Sequence, residues 1–245
     1  MILEKSNGYL ELEHLSNIEL YYSEPANFIS TKCRISGDDV HHIRNVMRHK
    51  TGDIIYITNG EGKIYKSCIA AFNINDIEVR LEKESKFIND YKNITFCIPR
   101  LKSSDRFEFA IEKSVELGIT NFVVFNSKRT VVKGSKKDRW EKIAVSAMKQ
   151  SLRSFLPNIS EIKTFSDLLS LEGKKILFEQ NSEKRIEKLK LSANENYLFI
   201  FGPEGGLDNL ELVGVDSKNI YCLSDNRLRT ETAVVKAASM LTSII

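Results

Sequence analysis

No run of this sequence reaches the eighteen or so consecutive apolar residues that a membrane helix requires. The first residues, MILEKSNGYLELEH, carry charge where a secretory leader needs an apolar stretch. Those two absences predict a soluble, cytoplasmic chain with no membrane partner. Cysteine is scarce as well: Cys33, Cys68, Cys97 and Cys222 are widely scattered and lie in strand-like runs, as reduced thiols used for packing do. They suggest neither a disulfide framework nor a zinc site. Past His49 there is no histidine at all, so no imidazole base can come from the C-terminal part. Also missing are G-x-G-x-x-G and the Lys-Ser or Lys-Thr of a Walker loop, which argues against a Rossmann dehydrogenase and a nucleotide phosphate loop.

What is present is enough for one large domain or two modest ones, since 42% of the 245 residues are hydrophobic. The net charge of +3 hides an asymmetry. Between positions 128 and 153, nine Lys and Arg face two acids, a local net of +7, whereas residues 1–82 carry a net of −3. Such clustering reads either as a footprint for a polyanion or as an ordinary solvated helix face.

Residues 19–82 alternate in short strands, IELYYS, TKCRIS, DIIYITNG, KIYKSCIAAF and DIEVRLE, with a hairpin signal at TNGEGKIY because Asn-Gly tolerates positive φ. A helical turn interrupts them at DDVHHIRNVMRH, where Val40, Ile43, Val46 and Met47 recur at helical spacing. The pattern predicts a small β-barrel or sandwich over 1–82, then a polar linker over 83–92. From Asn93 the period changes. The strands NITFCIP, NFVVF, KKILFEQ, YLFIF and NIYCLS alternate with helical runs, which predicts an α/β domain with a mainly parallel sheet over 93–245. Ser104 or Asp105 is expected to cap the first of those helices, and Gly118 to stop it.

In such a sheet a ligand sits beyond the carboxyl ends of the strands. Three segments end there with suitable residues: ILFEQNS, FGPEGG and LSDNRLRTET. The glycines of FGPEGG either let a backbone approach a ligand or simply make a tight turn. Arg227, Arg229, Thr230 and Glu231 crowd the entrance of a last, apolar helix that needs burial, against a second subunit as well as its own sheet. Thr230 is expected to cap that helix.

At this point FGPEGG and LSDNRLRTETA, with LKSSDRFEFAIEKSVELGI and WEKIAVSAMKQSLRSFLP, resemble the RsmE family of ribosomal RNA methyltransferases, of the SPOUT superfamily. The upstream HHIRNVMRHKTGDIIYITNGEGKIY resembles that family's PUA-like RNA-binding module, and the likeness runs from about residue 19 to 245. The resemblance implies a SPOUT parallel-sheet domain with a deep trefoil knot behind a PUA-like β-barrel. It implies a homodimer that uses S-adenosylmethionine to methylate uridine N3 in small-subunit (16S) ribosomal RNA. The cofactor contacts it carries over are Phe178 and Glu179, then Gly202, Pro203, Glu204, Gly205 and Gly206, then Leu223, Asn226, Leu228 and Arg229. Two departures stand out. Lys149 occupies a position where many relatives have glutamate, and the first eighteen residues precede the usual start.

Uridine N3 carries an imide proton, so catalysis needs donors for the charge that spreads onto the flanking oxygens, and a base. Arg229 and Arg227 are the candidate donors. Glu231 is the first candidate base and Glu204 the reserve. RNA phosphates are expected at Arg44, Arg48 and Lys50 and along Lys128, Arg129, Lys136, Lys137 and Arg153. His41, His42 and His49 read as RNA-contacting or structural side chains, with no metal. The alternatives are a non-catalytic RNA-binding assembly factor and a SPOUT enzyme acting on another RNA position.

Overall fold

The computed structural model describes residues 18–130 and 134–244. The N-terminal extension up to residue 17, with His14, and Lys133 of the basic segment lie outside them. Two compact units emerge, residues 1–89 with 148–156, and residues 90–147 with 157–245.

In the first unit β1 (Leu20–Tyr22), β2 (Phe28–Ile29), β3 (Lys32–Ser36), β4 (Ile54–Thr58), β5 (Lys63–Phe72) and β6 (Asp76–Lys86) form one sheet in the order β1-β4-β5-β6-β3-β2. Among the described residues only the β1–β4 pair is parallel. Alternation does the sorting: Cys33 and Ile35, Ile55 and Ile57, and Ile77 and Val79 all point into one core. Val40 and Ile43 close over it from α1 (Asp38–His41) and the π-helical turn His42–Val46. Each such side chain, fully buried, contributes about 1.5–3 kcal/mol.

The hairpin expected at Asn-Gly is present, with positive φ at the glycine of that pair and not at the asparagine. Positive φ falls on Gly60 and Gly62. Asn59 adds its side chain, its Oδ1 accepting from the amides of Glu61 at 2.9 Å and Lys63 at 3.3 Å. β6 also continues through Lys86, because Lys63–Lys66 pair with it there, so the expected linker begins as strand. The 148–156 segment, expected in the C-terminal domain, packs in this first unit. The Leu156 amide donates to the Gly60 carbonyl at 2.8 Å, the Thr58 hydroxyl donates to the Ser154 carbonyl at 3.2 Å, and Lys149 pairs with Asp39 at 2.6 Å.

The second unit contains β7 (Ile94–Pro99), α2 (Ser104–Glu116), β8 (Asn121–Phe125), α3 (Lys137–Gln150, whose last turn joins the first unit), β9 (Asn158–Glu161), α4 (Phe165–Ser170), β10 (Lys174–Phe178), β11 (Tyr197–Ile200), α5 (Asn209–Val213), β12 (Ile220–Tyr221) and α6 (Thr230–Ile244). Its sheet is parallel throughout, in the order β12-β10-β11-β7-β8-β9. β9 escapes the sequence pattern because it is a short edge strand with one buried apolar residue, Ile159. Helix α2 is capped by Ser103, one residue earlier than expected, whose hydroxyl accepts from the Arg106 amide. The Ser104 hydroxyl donates to Glu108 instead. From β7 the chain steps one way through β8 and β9, then returns to β10 and β11 on the other side. That makes a topological switch beside β7 and β11.

Candidate active site

Beyond the carboxyl ends of β10, β11 and β12 lies a cavity of about 670 Å³, within the range that holds a small molecule. Its walls are the segments 178–180, 201–206, 223–224 and 227–230, with Ala233 and Arg106. Of the residues carried over for the cofactor, Phe178, Glu179, Gly202, Pro203, Glu204, Gly205, Gly206, Leu223, Leu228 and Arg229 stand on this wall, and Asn226 does not. Gln180, Phe201, Ser224 and Arg106 also stand there, and sequence reading missed them.

Hydrogen bonds lock the loops to one another. Gln180 donates through its amide to the carbonyls of Ser224 and Asp225 at 3.2 and 3.1 Å, and Arg227 donates to the Glu204 carbonyl at 3.4 Å. The Thr230 hydroxyl donates to the Gly202 carbonyl at 2.8 Å. That corrects the capping expectation: Thr230 is the first residue of α6, and its side chain ties two loops together. Gly206 holds φ +71 in this turn, where its amide bonds the Pro203 carbonyl at 2.8 Å, a backbone conformation that favours glycine. The Lys102 amide adds a bond to the Glu204 carboxylate at 3.3 Å.

The candidate catalytic residues separate. Arg227 and Arg229 are on the wall, but Glu231 is behind it, only 7% exposed. Its Oε1 faces the Arg106 Nε at 3.6 Å, and its Oε2 has no hydrogen-bond partner. It is therefore set against Arg106 and not among the residues that line the cavity. Glu204, the reserve, is on the wall. Three guanidinium groups and two carboxylates thus line the site, which suits an anionic or electron-rich ligand face.

The basic segment is redistributed by tertiary contacts. Arg129 donates to the Gly205 carbonyl and packs under that glycine, so it buttresses the loop. Lys128 pairs with Asp208 at 3.3 Å, and its amide donates to Glu211 at 2.9 Å. Both are expected RNA contacts on sequence grounds, and both are used within the unit. Arg139 is paired with Glu108 at 2.7 Å and Lys137 with Glu141 at 3.5 Å, while Lys136 donates to the Ser104 hydroxyl at 3.2 Å. In the first unit Arg44 lies over the Phe72 ring and donates to the Asn73 carbonyl at 2.5 Å. Arg48 and Lys50 are exposed. His42 faces Glu19 and His49 faces Asp53, at 3.3 and 3.2 Å, so these imidazoles have structural partners. Among the described residues no three His, Cys, Asp or Glu side chains gather as a metal site needs, and no helix is long and apolar enough to cross a membrane. All four cysteines are free thiols, and burial pushes the Cys33 thiol up to about 11.

Similarity to known proteins converges on one family. An RNA methyltransferase domain matches residues 89–242, and an RNA methyltransferase PUA domain matches residues 35–82. Ribosomal RNA small subunit methyltransferase E of Bacillus subtilis is 31% identical over 228 residues, 84% of this chain and 88% of that one. The protein of the same name from Rickettsia conorii is 28% identical and covers 86% and 90%. Among solved structures, a probable rRNA-methyltransferase from Porphyromonas gingivalis superposes with a TM-score of 0.81 at 25% identity, over 93% of this chain and 98% of that one. A ribosomal RNA small subunit methyltransferase E from Neisseria gonorrhoeae, solved bound to S-adenosyl methionine, shares the fold with a TM-score of 0.81 at 24% identity and the same coverage. With its domains matched in order and the Bacillus protein aligned over most of its length, this chain belongs to the RsmE family of ribosomal RNA small subunit methyltransferases.

Proposed function

We propose that the chain transfers a methyl group from S-adenosylmethionine to N3 of a uridine in small-subunit ribosomal RNA. One observation carries this reading: in a chain of this family, the two motif loops and the strand end before them enclose a single cavity of cofactor size at the switch point of the sheet. Its surface fits the group, with backbone and glycine at Gly202, Gly205 and Gly206 and apolar contact at Phe201, Leu223 and Leu228. When bound, S-adenosylmethionine supplies an electrophilic methyl on a sulfonium.

The residues of this chain do the rest. The wall residues Phe178, Glu179, Gly202 to Gly206, Leu223 and Leu228 hold the cofactor, and the loop ties keep that surface in place before binding, which lowers the ordering cost. Arg229 donates to one carbonyl oxygen of the uracil as N3 loses its proton, with Arg227 beside it. Glu204, the reserve candidate on the wall, takes the proton. Phosphates of the RNA meet Arg44, Arg48, Lys50, Lys136, Lys137 and Arg153.

The finer architecture belongs to the same reading. The trefoil knot is made by passing α6 through the loop that carries Gly202, which accounts for the Thr230–Gly202 bond. The PUA-like sheet closes as a barrel; the Ser23 hydroxyl after β1, donating to the Arg34 carbonyl of β3 at 2.6 Å, supports closure. Two copies pair through α2 and α6, where Phe109 is exposed and Val235 and Met240 are half-exposed. The enzyme works in the cytoplasm, where its RNA is.

The test is incubation of the full chain with S-adenosylmethionine and small-subunit RNA, followed by mapping of the methylated base. Methyl on uridine N3 is expected. Arg229→Lys should lower kcat far more than it weakens S-adenosylhomocysteine binding. Methyl at another atom, or none with cofactor and RNA both bound, would overturn the reading.

A further inference from the structure

Of the cavity walls, Arg106 alone comes from outside the three strand-end segments and the start of α6. It belongs to the first turn of α2. Its Nε faces Glu231 of the adjacent first turn of α6 at 3.6 Å, and its side chain is 42% exposed. Glu231 is buried, and its second oxygen is unpaired. A buried carboxylate left half-satisfied is costly, by about 1–3 kcal/mol for an ordinary unpaired group and more for a charged one. An interaction built only for stability would use both oxygens, as a bidentate arginine pair does. This pair instead spends one edge of the guanidinium on Glu231, which leaves its terminal nitrogens for something in the cavity.

The geometry points to Arg106, held by Glu231, as the donor for an oxyanion of the methyl acceptor. This rests on the function proposed above and goes one step further into it. When the uracil imide loses its proton, charge spreads onto two oxygens, one on each side of N3. Arg227 and Arg229 stand two residues apart on one strand-end segment and serve one side. Arg106, arriving from α2, supplies a donor for the other, and Glu231 is a positioning residue that sets its orientation. The same chemistry, an oxyanion with acceptor lone pairs, is also carried by the carboxylate of the cofactor. Arg106 is assigned to the acceptor because it stands apart from the loops that form the cofactor surface.

The experiment begins with the wild-type chain, which must methylate uridine N3; failure there would count against the proposed function and not against Arg106. Arg106→Met is then compared with it for S-adenosylhomocysteine affinity by calorimetry, for RNA affinity, and for the pH dependence of kcat. The expected result is a loss in kcat on the order of 100-fold, as for other oxyanion donors, with both affinities held within about threefold. The limb on which kcat rises with pH should move up by about two pH units, because a 100-fold loss of anion stabilisation is a shift of that size in the acceptor's ionisation. Arg106→Lys, which keeps the charge but loses the planar fork, should recover part of the rate. Glu231→Gln should shift the same limb by less, and Glu231→Asp should restore some of it, which a merely structural acid would not do. If Arg106→Met weakens S-adenosylhomocysteine with kcat intact, the oxyanion is the cofactor's carboxylate and the assignment to the acceptor is overturned. An unchanged kcat and an unmoved rising limb in a folded Arg106→Met would overturn the proposal outright.

Discussion

Replacing Thr230 by valine keeps the branched shape and removes one donor. In the native chain its hydroxyl is buried and donates to the Gly202 carbonyl at 2.8 Å, the direct tie between the start of α6 and the FGPEGG loop. Such a bond contributes about 0.5–1.5 kcal/mol net, and a carbonyl left unpaired costs about 1–3 kcal/mol. Cofactor binding needs that loop ordered, so part of this cost should appear as affinity. At about 1.4 kcal/mol per tenfold, S-adenosylhomocysteine should bind about 5- to 30-fold more weakly. Thr230→Ser keeps the hydroxyl and should stay within about threefold. Calorimetric titration of both variants, with a melting curve on each, separates loop ordering from general loss of stability, for which about 1 kcal/mol lowers the midpoint by about 2–4 °C. Wild-type affinity in Thr230→Val at an unchanged melting point would show that the tie does not organise the loop.

Arg129→Met should weaken cofactor binding several-fold while leaving the salt dependence of RNA binding as it was; a salt slope reduced by about one would return Arg129 to the RNA surface. Gly62→Ala combines φ +89 with a new Cβ 2.5 Å from the Phe155 ring, so it should destabilise the first unit by about 2–4 kcal/mol in chemical denaturation; a wild-type midpoint would contradict that packing. Burial pushes the Glu108 carboxyl up, but the Ser104 hydroxyl and the Arg139 guanidinium outweigh it and hold the group below its usual value. Its contribution is therefore present above the unfolded carboxyl value and is lost as pH falls through the lowered folded one. Glu108→Gln should flatten the acid limb of a stability–pH curve, and an unaltered limb would assign acid sensitivity elsewhere.

Local chemistry makes much of the molecule legible in the sequence by itself. Alternating Cys33 and Ile35 or Ile77 and Val79 can bury only one face, and the apolar runs of β7, β8 and β11 suit only a sheet covered on both faces. The FGPEGG and NRLRTET loops show in composition because a tight turn beside a ligand needs glycine, and a helix entrance holding arginines is unusual. The tertiary structure decides everything that depends on a partner distant in the chain. Asn59 and Thr230 each have a side chain able to cap or turn, and only the neighbouring backbone selects which. The basic run from 128 to 153 looks free along the chain because Asp208, Glu108, Glu211 and Asp39 lie far away in sequence. Arg106 and Glu231, 125 positions apart, carry no mutual signal in a single sequence. Packing the first turns of α2 and α6 together sets Glu231 against Arg106, because the energy of a charge depends on what faces it and spacing along the chain does not record that.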